Sequence, residues 1–173
     1  HVGSVDDYFR KKHQMLQAIN EFAKTKTDLK IHTAINCLDD QNKGMDGIYL
    51  TVLGTSADNA DSGEVGRGNK ANRVISPSRP AGAEALAGKN PVSHIGKIYN
   101  TLSFKLADEI YNKVLGLEEV FVWMYNVIGR PVNNPKAVVV RPLTKDNMLG
   151  KSQQTQIKEI VSDNLAKMDE FCK

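Results

Sequence analysis

The chain has 173 residues, of which 40% are hydrophobic and 25% charged, and its formal net charge is +3. This length fits one domain or two small ones, and the composition is typical of a globular protein with a sizeable core. The mild charge argues against a dedicated nucleic-acid-binding protein. The chain contains no run of about 18 apolar residues, so we expect no membrane span.

Only two cysteines are present, Cys37 and Cys172, and they lie far apart. Their spacing predicts neither a zinc site nor a disulfide-built scaffold. Free thiols indicate a reducing compartment, and we therefore expect a cytoplasmic protein. The chain opens at His1, just before a capped helix, so we also expect it to be a fragment.

The first predicted helix covers Val5 to Lys24, with Ser4 as its N-cap. We interpret its apolar stripe as core packing, with a partner surface as the alternative. Alternating residues predict a half-buried strand over Leu29 to Cys37, and Ile48 to Gly54 predicts a second strand that pairs with it. Between the two strands, Asp39 to Gly47 is predicted to be a turn region.

A second helix is predicted over Ser93 to Val114, with Gly116 as its stop signal. Apolar runs predict strands at Glu119 to Ile128 and Ala137 to Arg141, and helical spacing predicts a last helix over Gln154 to Phe171. This order predicts an α+β fold with layered antiparallel sheets, helices on one face and repeated βαβ-type units.

We divide the chain into three segments. Residues 1–60 hold a helix and a strand pair of one domain, residues 61–98 form a Gly-rich active-site segment, and residues 99–173 are part of a C-terminal α+β domain. The middle segment is the most informative. Between Asp61 and Asn100, six cations face three acids among many glycines; the cations are Arg67, Lys70, Arg73, Arg79, Lys89 and Lys97.

Glycines allow a backbone to approach a ligand closely, and cations from several directions suit a polyphosphate. Arg67, Lys70 and Lys89 are therefore candidate triphosphate ligands; the alternative is an exposed loop without a binding role. Asp61 heads the glycine run, where a carboxylate could hold a substrate ammonium group or a polar ring edge. His94 either donates to an anion or caps the second helix.

Other ligand classes fit the sequence less well. Gly82 to Lys89 resembles a Walker loop, but it has one residue too many between its glycines, and Asn90 replaces the Ser or Thr that binds magnesium. Gly66 to Ala71 matches a dinucleotide pattern without a strand before it. No two histidines have metal-ligand spacing, and no aromatic residue lies between Asp61 and Ile98 to stack on nucleic-acid bases.

Many short motifs match one enzyme family in order. They are Ile48 to Val52, Gly54 to Ala57, Val65 to Asn69, Arg79-Pro80, Gly88 to Val92, His94, Gly96 to Asn100, Gly129, Pro131 and Pro135 to Ala137. The chain resembles the C-terminal half of S-adenosylmethionine synthetase (methionine adenosyltransferase) of the archaeal type. Such a series of motifs is specific, because generic loop chemistry would not produce it.

The resemblance implies that S-adenosylmethionine forms from ATP and L-methionine, with release of phosphate and pyrophosphate. It implies Mg2+, K+ in many members, and a homodimer or higher homo-oligomer with active sites between subunits. The matching Asp61 would contact methionine, and Arg67 and Lys89 would act catalytically by holding the polyphosphate. The residues implied to bind substrate are Asp61, Lys70, Asn90 and His94.

Two departures from the family pattern leave an alternative open. Family members are longer, and their first half supplies a G-H-P-D segment, with a catalytic His and a metal-binding Asp, that this chain lacks. Ala81-Gly82-Ala83 also stands where archaeal relatives carry bulkier residues. We therefore expect the chain to be incomplete relative to the family subunit, inactive alone and partnered by the missing N-terminal half. The alternative is a non-catalytic relative that acts as a nucleotide-binding or assembly module.

Overall fold

The computed structural model of the chain describes residues 1–50, 71, 76–80, 82 and 85–173. The chain forms two compact units, His1–Asp61 and Ser62–Lys173, and each has its own internal contacts. Within the described ranges, none of the helices combines the length and the apolar character that a membrane crossing requires.

The first unit begins with helix α1, Val5–Lys24. As predicted, the Ser4 hydroxyl caps it by accepting a hydrogen bond of 3.1 Å from the backbone N–H of Asp7. The prediction of core packing for its apolar stripe is confirmed only at Tyr8, which is buried. Phe22 is 63% exposed, and Met15 and Ile19 are exposed as well. Within the part of the chain that the structure describes, the stripe is therefore only partly covered, since Val5, Phe9 and Leu16 are half-buried.

A polar network attaches α1 to the segment that follows it. The Tyr8 hydroxyl donates to a carboxylate oxygen of Asp39 over 2.7 Å, and the Lys12 ammonium contacts the same oxygen at 2.7 Å. Asn36 donates to the Tyr8 hydroxyl over 2.7 Å. Burial raises the pKa of Tyr8, so this phenol stays protonated as a donor. A 3-10 helix, Gln41–Gly47, follows where a turn region was predicted.

The strand predicted over Leu29 to Cys37 is wrong. This segment has irregular backbone, and Leu29 is 79% and Ile31 48% exposed. A strand persists only where its N–H and C=O groups pair with a neighbour, and alternation alone supplies no such neighbour. Its predicted partner, Ile48 to Gly54, lies mostly outside the described residues, and Ile48 to Leu50 are not in a strand.

The described part of the second unit contains three helices and two strands. Helix α2 covers Ile95–Lys113, strand β1 Glu119–Tyr125, strand β2 Ala137–Leu143, helix α3 Lys151–Ala166 and helix α4 Met168–Phe171. The strands pair antiparallel from Glu119 opposite Leu143 to Tyr125 opposite Ala137. Every predicted element of this half is present, but β1 ends three residues before Ile128, and the last helix is divided at Lys167.

One apolar face of α2 forms the core of this unit. Its buried residues recur at helical spacing, and the buried C-cap residue Val114 continues them: Ile98, Tyr99, Leu102, Leu106 and Ile110. Val122 and Met124 of β1 pack against them, as do Ile157 of α3 and Met168 of α4. Helices therefore cover one face of the two-stranded antiparallel sheet. The wider prediction of repeated, layered units stays a prediction.

The connection from α2 to β1 depends on a glycine. Gly116 has a φ of +84°, a left-handed conformation that costs little without a side chain, and it ends the helix as predicted. The side chain of Gln153 in α3 then donates to the carbonyl of Leu115 over 2.8 Å. This contact ties the end of α2 to the start of α3 and so fixes how the two helices pack.

Candidate functional site

The predicted site residues fall into two groups. Asp61, Arg67 and Lys70 lie outside the described residues, so their predicted roles stay predictions. Lys89, Asn90 and His94 are described, and the structure brings them together at the start of α2. The described residues 85–94 form turns and irregular backbone, and regular structure begins after them at Ile95.

Asn90 shapes the turn that leads into α2. Its side-chain oxygen accepts hydrogen bonds from the N–H groups of Val92, at 2.9 Å, and Ser93, at 3.1 Å. Its backbone carbonyl accepts from the N–H of His94 over 3.1 Å. This pattern is the local turn that Asn side chains favour. The side-chain oxygen of Asn90 is therefore engaged with the backbone, which leaves its amide NH2 as the group that could donate to a ligand.

His94 is the N-cap of α2. Its Nδ1 atom accepts a hydrogen bond of 3.1 Å from the N–H of Gly96. An accepting Nδ1 carries no hydrogen, so the ring hydrogen is on Nε2, which can donate to a ligand. The structure thus bears out the capping alternative, and capping leaves one donor of the same ring for the anion contact that the sequence also suggested.

Lys89 is fixed through its backbone. Its N–H donates to the carbonyl of Leu86 over 3.3 Å, and its carbonyl accepts from the ammonium of Lys97 over 2.8 Å. Gly88, immediately before it, has a φ of +75°, a left-handed conformation that favours glycine. The Gly88-Lys89 pair therefore has a defined backbone course just before α2 begins.

The electrostatics at this end of α2 favour an anion. The N-terminal end of a helix carries a partial positive charge, and the first turn of α2 contains no acidic residue to neutralise it. Lys89 and Lys97 add two cations there. Most N–H groups around the first turn are already satisfied by Asn90 and His94. An anion at this position would consequently be held by side chains rather than by backbone amides.

A groove of about 850 Å3 lies beside this segment, within the second unit. Its walls come from α2 and β1, and its lining is mainly apolar; polar members include Ser93, His94, Asn100 and Arg79. Arg79 is held by a 2.7 Å ion pair with Glu119 and lies over the Phe121 ring at 5.9 Å from its centre. Of the predicted site residues at the start of α2, His94 lines this groove and Lys89 does not. His94 therefore lies both in the groove and at the N-terminal end of the helix.

The described residues provide no metal centre. Among residues 1–50, 71, 76–80, 82 and 85–173, no group of three or more His, Cys, Asp or Glu side chains could hold a metal ion. Magnesium prefers carboxylate and phosphate oxygens. A Mg2+ ion bound to a nucleotide needs only one or two carboxylates beside the phosphate oxygens and waters, so this finding concerns metal centres built entirely by the described residues.

Sequence reasoning missed the roles of two cations. Arg79 binds Glu119, 40 positions further along the chain, and Lys97 binds the backbone of Lys89. The sequence identified both only as members of a basic segment. Neither contact follows from spacing, because each depends on how the segment before α2 folds back on the unit. The turn signals in Gly88 and Asn90 are the only local hint of that path.

Comparison with known proteins gives the family. The family model for S-adenosylmethionine synthetase (AdoMet synthetase) matches residues 1–173. The chain belongs to this family. The probable S-adenosylmethionine synthase of Aquifex aeolicus is 40% identical over 173 residues, which are 100% of this chain and 42% of that protein. The S-adenosylmethionine synthase of Thermococcus onnurineus is 44% identical over 144 residues, 83% of this chain and 35% of that protein.

A third relative shows a similar identity and coverage. The S-adenosylmethionine synthase of Archaeoglobus fulgidus is 41% identical over 145 residues, which cover 84% of this chain and 36% of that protein. The chain therefore spans only about two fifths of the length of the S-adenosylmethionine synthetases that it matches. Family membership is thus established over the whole chain, whereas the complete family subunit contains more residues than these.

Proposed function

We propose that this chain is the C-terminal portion of a methionine adenosyltransferase, which forms S-adenosylmethionine from ATP and L-methionine and releases phosphate and pyrophosphate. The observation that carries the proposal is the family match over residues 1–173, together with relatives that are named S-adenosylmethionine synthase. In this proposal the chain supplies polyphosphate-binding and substrate-binding residues, and it is inactive without the remainder of the subunit.

The reaction needs little acid–base chemistry. A lone pair of the methionine sulfur forms a bond to the adenosyl carbon of ATP, while the bond from that carbon to the triphosphate oxygen breaks and its electrons leave with the triphosphate. One water molecule then cleaves a phosphorus–oxygen bond of the triphosphate, which gives phosphate and pyrophosphate. A neutral thioether needs no general base to attack. The protein must hold the two reactants in line and stabilise the charge on the leaving triphosphate.

Lys89 is the described residue that we assign to the second task. It follows a left-handed glycine and precedes the positive end of α2, where no first-turn acid competes with a bound anion. Arg67 and Lys70 are proposed to hold the polyphosphate from the other part of the Gly-rich segment, and Asp61 to contact methionine. His94 could add a hydrogen bond from Nε2 while its Nδ1 caps the helix.

The remaining features of the proposal follow from the family. Mg2+ would neutralise part of the triphosphate charge and K+ would assist, with Mg2+ held by residues outside the described part of the chain. We further propose a homodimer or higher homo-oligomer and a cytoplasmic location. The two described thiols, of which Cys37 is exposed, are free, which agrees with a reducing compartment.

Replacing Lys89 tests the site assignment. In the product of the entire reading frame, Lys89→Ala should lower kcat about a hundredfold, because it removes one charged group from the leaving triphosphate. Lys145→Ala, at an exposed lysine in the turn after β2, is the matched control and should leave turnover unchanged. Equal turnover of Lys89→Ala and wild type would contradict the assignment. A folded, ATP-binding protein that forms no S-adenosylmethionine would instead support the non-catalytic alternative.

A further inference from the structure

Lys97 makes an unusual contact for a lysine at the start of a helix. It is the third residue of α2, its side chain is half-buried, and its ammonium donates a 2.8 Å hydrogen bond to the backbone carbonyl of Lys89. The two residues are eight positions apart. The side chain of Lys97 therefore reaches back from the helix and holds the segment that precedes it.

The position of this ammonium is electrostatically unfavourable in the absence of an anion. A cation near the N-terminal end of a helix is repelled by the helix dipole, and acids rather than lysines are favoured there. Within the described residues, the carbonyl of Lys89 is the only hydrogen-bond partner of the Lys97 ammonium, and no carboxylate pairs with it. Lys97 is therefore held in place by a single charge-assisted hydrogen bond to the main chain.

That hydrogen bond acts directly on the main chain of Lys89. The carbonyl of Leu86 accepts a hydrogen bond from the N–H of Lys89 over 3.3 Å, which is long for such a bond. A Cβ atom at Gly88 would have no atom within 4 Å, so the backbone is not closely packed on that side. The carbonyl of Lys89 is then fixed by Lys97 on its other side. Removing the ammonium would take this hydrogen bond from the Lys89 carbonyl and so loosen the Lys89-Asn90 peptide just before α2.

We propose that Lys97 is a positioning residue that orients the backbone of Lys89 and thereby directs the Lys89 side chain to the polyphosphate. This inference rests on the proposed function, in which Lys89 holds the leaving group. Lys97 acts through Lys89, so its contribution to catalysis should disappear when the side chain of Lys89 is removed.

A double-mutant cycle in the full-length protein tests this dependence. Lys97→Met keeps the length of the side chain and removes its charge and donors, and we expect kcat/KM for ATP to fall about tenfold or more. Lys97→Arg keeps a donor that can reach a carbonyl and should recover most of that loss. In the Lys89→Ala background, Lys97→Met should change kcat/KM by less than about twofold, because coupled residues are not additive.

Controls separate positioning from a loss of folding. Lys113→Met changes an exposed lysine at the other end of α2, where it pairs with Glu109, and it should leave kcat/KM for ATP unchanged. Thermal midpoints are measured for every variant. The proposal is overturned if Lys97→Met matches wild type, if its effect persists fully in the Lys89→Ala background, or if Lys97→Arg is as impaired as Lys97→Met.

The proposed function and this inference can fail separately. If the full-length wild type forms no S-adenosylmethionine, the proposed function fails. Hydrogen exchange in the full-length protein then still tests whether the anchor exists. Amide exchange in the peptide that spans residues 86–94 should be faster in Lys97→Met than in wild type, while exchange in the Lys113→Met control should match wild type. Identical exchange in all three would overturn the anchor itself.

Discussion

Leu102 offers the most direct test of the core of the second unit. Its side chain has no exposed surface and packs among Ile98, Tyr99, Leu106 and Met168. Leu102→Ala removes apolar atoms from water-free surroundings and leaves a cavity that neighbouring residues fill only partly. We expect the free energy of unfolding to fall by about 3 kcal/mol, within the range found for buried leucines. This is a large fraction of the stability of a typical domain.

The same substitution at an exposed leucine provides the control. Leu115 is 85% exposed, so Leu115→Ala should change the free energy of unfolding by less than about 0.5 kcal/mol. Urea unfolding of this 173-residue chain, followed by circular dichroism, gives both values under identical conditions. Equal losses for the two variants, or a larger loss at Leu115, would refute the assignment of α2 as the central helix of this core.

Two further predictions concern polar contacts of the same helix. Hydrogen bonds from Lys113, chiefly, and from Asn164 lower the pKa of Glu109 from 4.5 to about 2. The stabilisation from the ionised Glu109 should therefore be present above about pH 4.5 and be lost as the pH falls towards 2. The free energy of unfolding, measured against pH in the acid range, should show this loss in wild type but not in Glu109→Gln. Tyr99 donates to the carbonyl of Val132 over 2.7 Å, so Tyr99→Phe leaves that carbonyl unpaired and should cost about 1–3 kcal/mol in thermal or urea unfolding.

Exposed residues of α2 provide controls for the Glu109→Gln and Tyr99→Phe predictions. Asp108 is exposed and next to Glu109, so Asp108→Asn should retain the acid-dependent loss that Glu109→Gln lacks. Tyr111 is 51% exposed, and Tyr111→Phe should leave stability within about 0.5 kcal/mol of wild type. A Glu109→Gln profile that follows wild type through the acid range, or a Tyr99→Phe protein as stable as Tyr111→Phe, would contradict the corresponding contact.

The second half of the fold could be predicted from the sequence because local signals and burial agree there. The helical spacing from Ile98 to Val114 coincides with the buried face of α2, and Gly116 adopts the left-handed conformation that ends it. The two apolar runs that follow pair with each other, so each strand finds its partner nearby in sequence. Period, stop signal and pairing all indicate the same structure, which is the condition under which sequence patterns are reliable.

The first half could be predicted less well because its patterns need partners that periodicity does not supply. Leu29 to Cys37 alternates like a strand, yet the structure shows irregular backbone there. The apolar stripe of α1 is correctly spaced for a helix, but only Tyr8 is buried. Periodicity indicates which side chains lie on one face of an element, but it does not show whether another element packs against that face.

At the candidate site, the sequence identified residue types better than contacts. The resemblance singled out Lys89, Asn90 and His94, and these lie together at the start of α2. The roles of Asn90 as turn former and of Lys97 as backbone anchor depend on the path of the chain between Gly88 and Ile95. Such contacts between a side chain and the main chain depend on the three-dimensional path of the backbone, which cannot be deduced from residue spacing or composition.

The central claim is that this chain is part of an active methionine adenosyltransferase. The most direct measurement incubates the product of the entire reading frame with ATP, L-methionine, Mg2+ and K+ and quantifies three products together. We expect S-adenosylmethionine, phosphate and pyrophosphate in equal amounts, all dependent on methionine. A folded protein that binds ATP but yields no S-adenosylmethionine would contradict it.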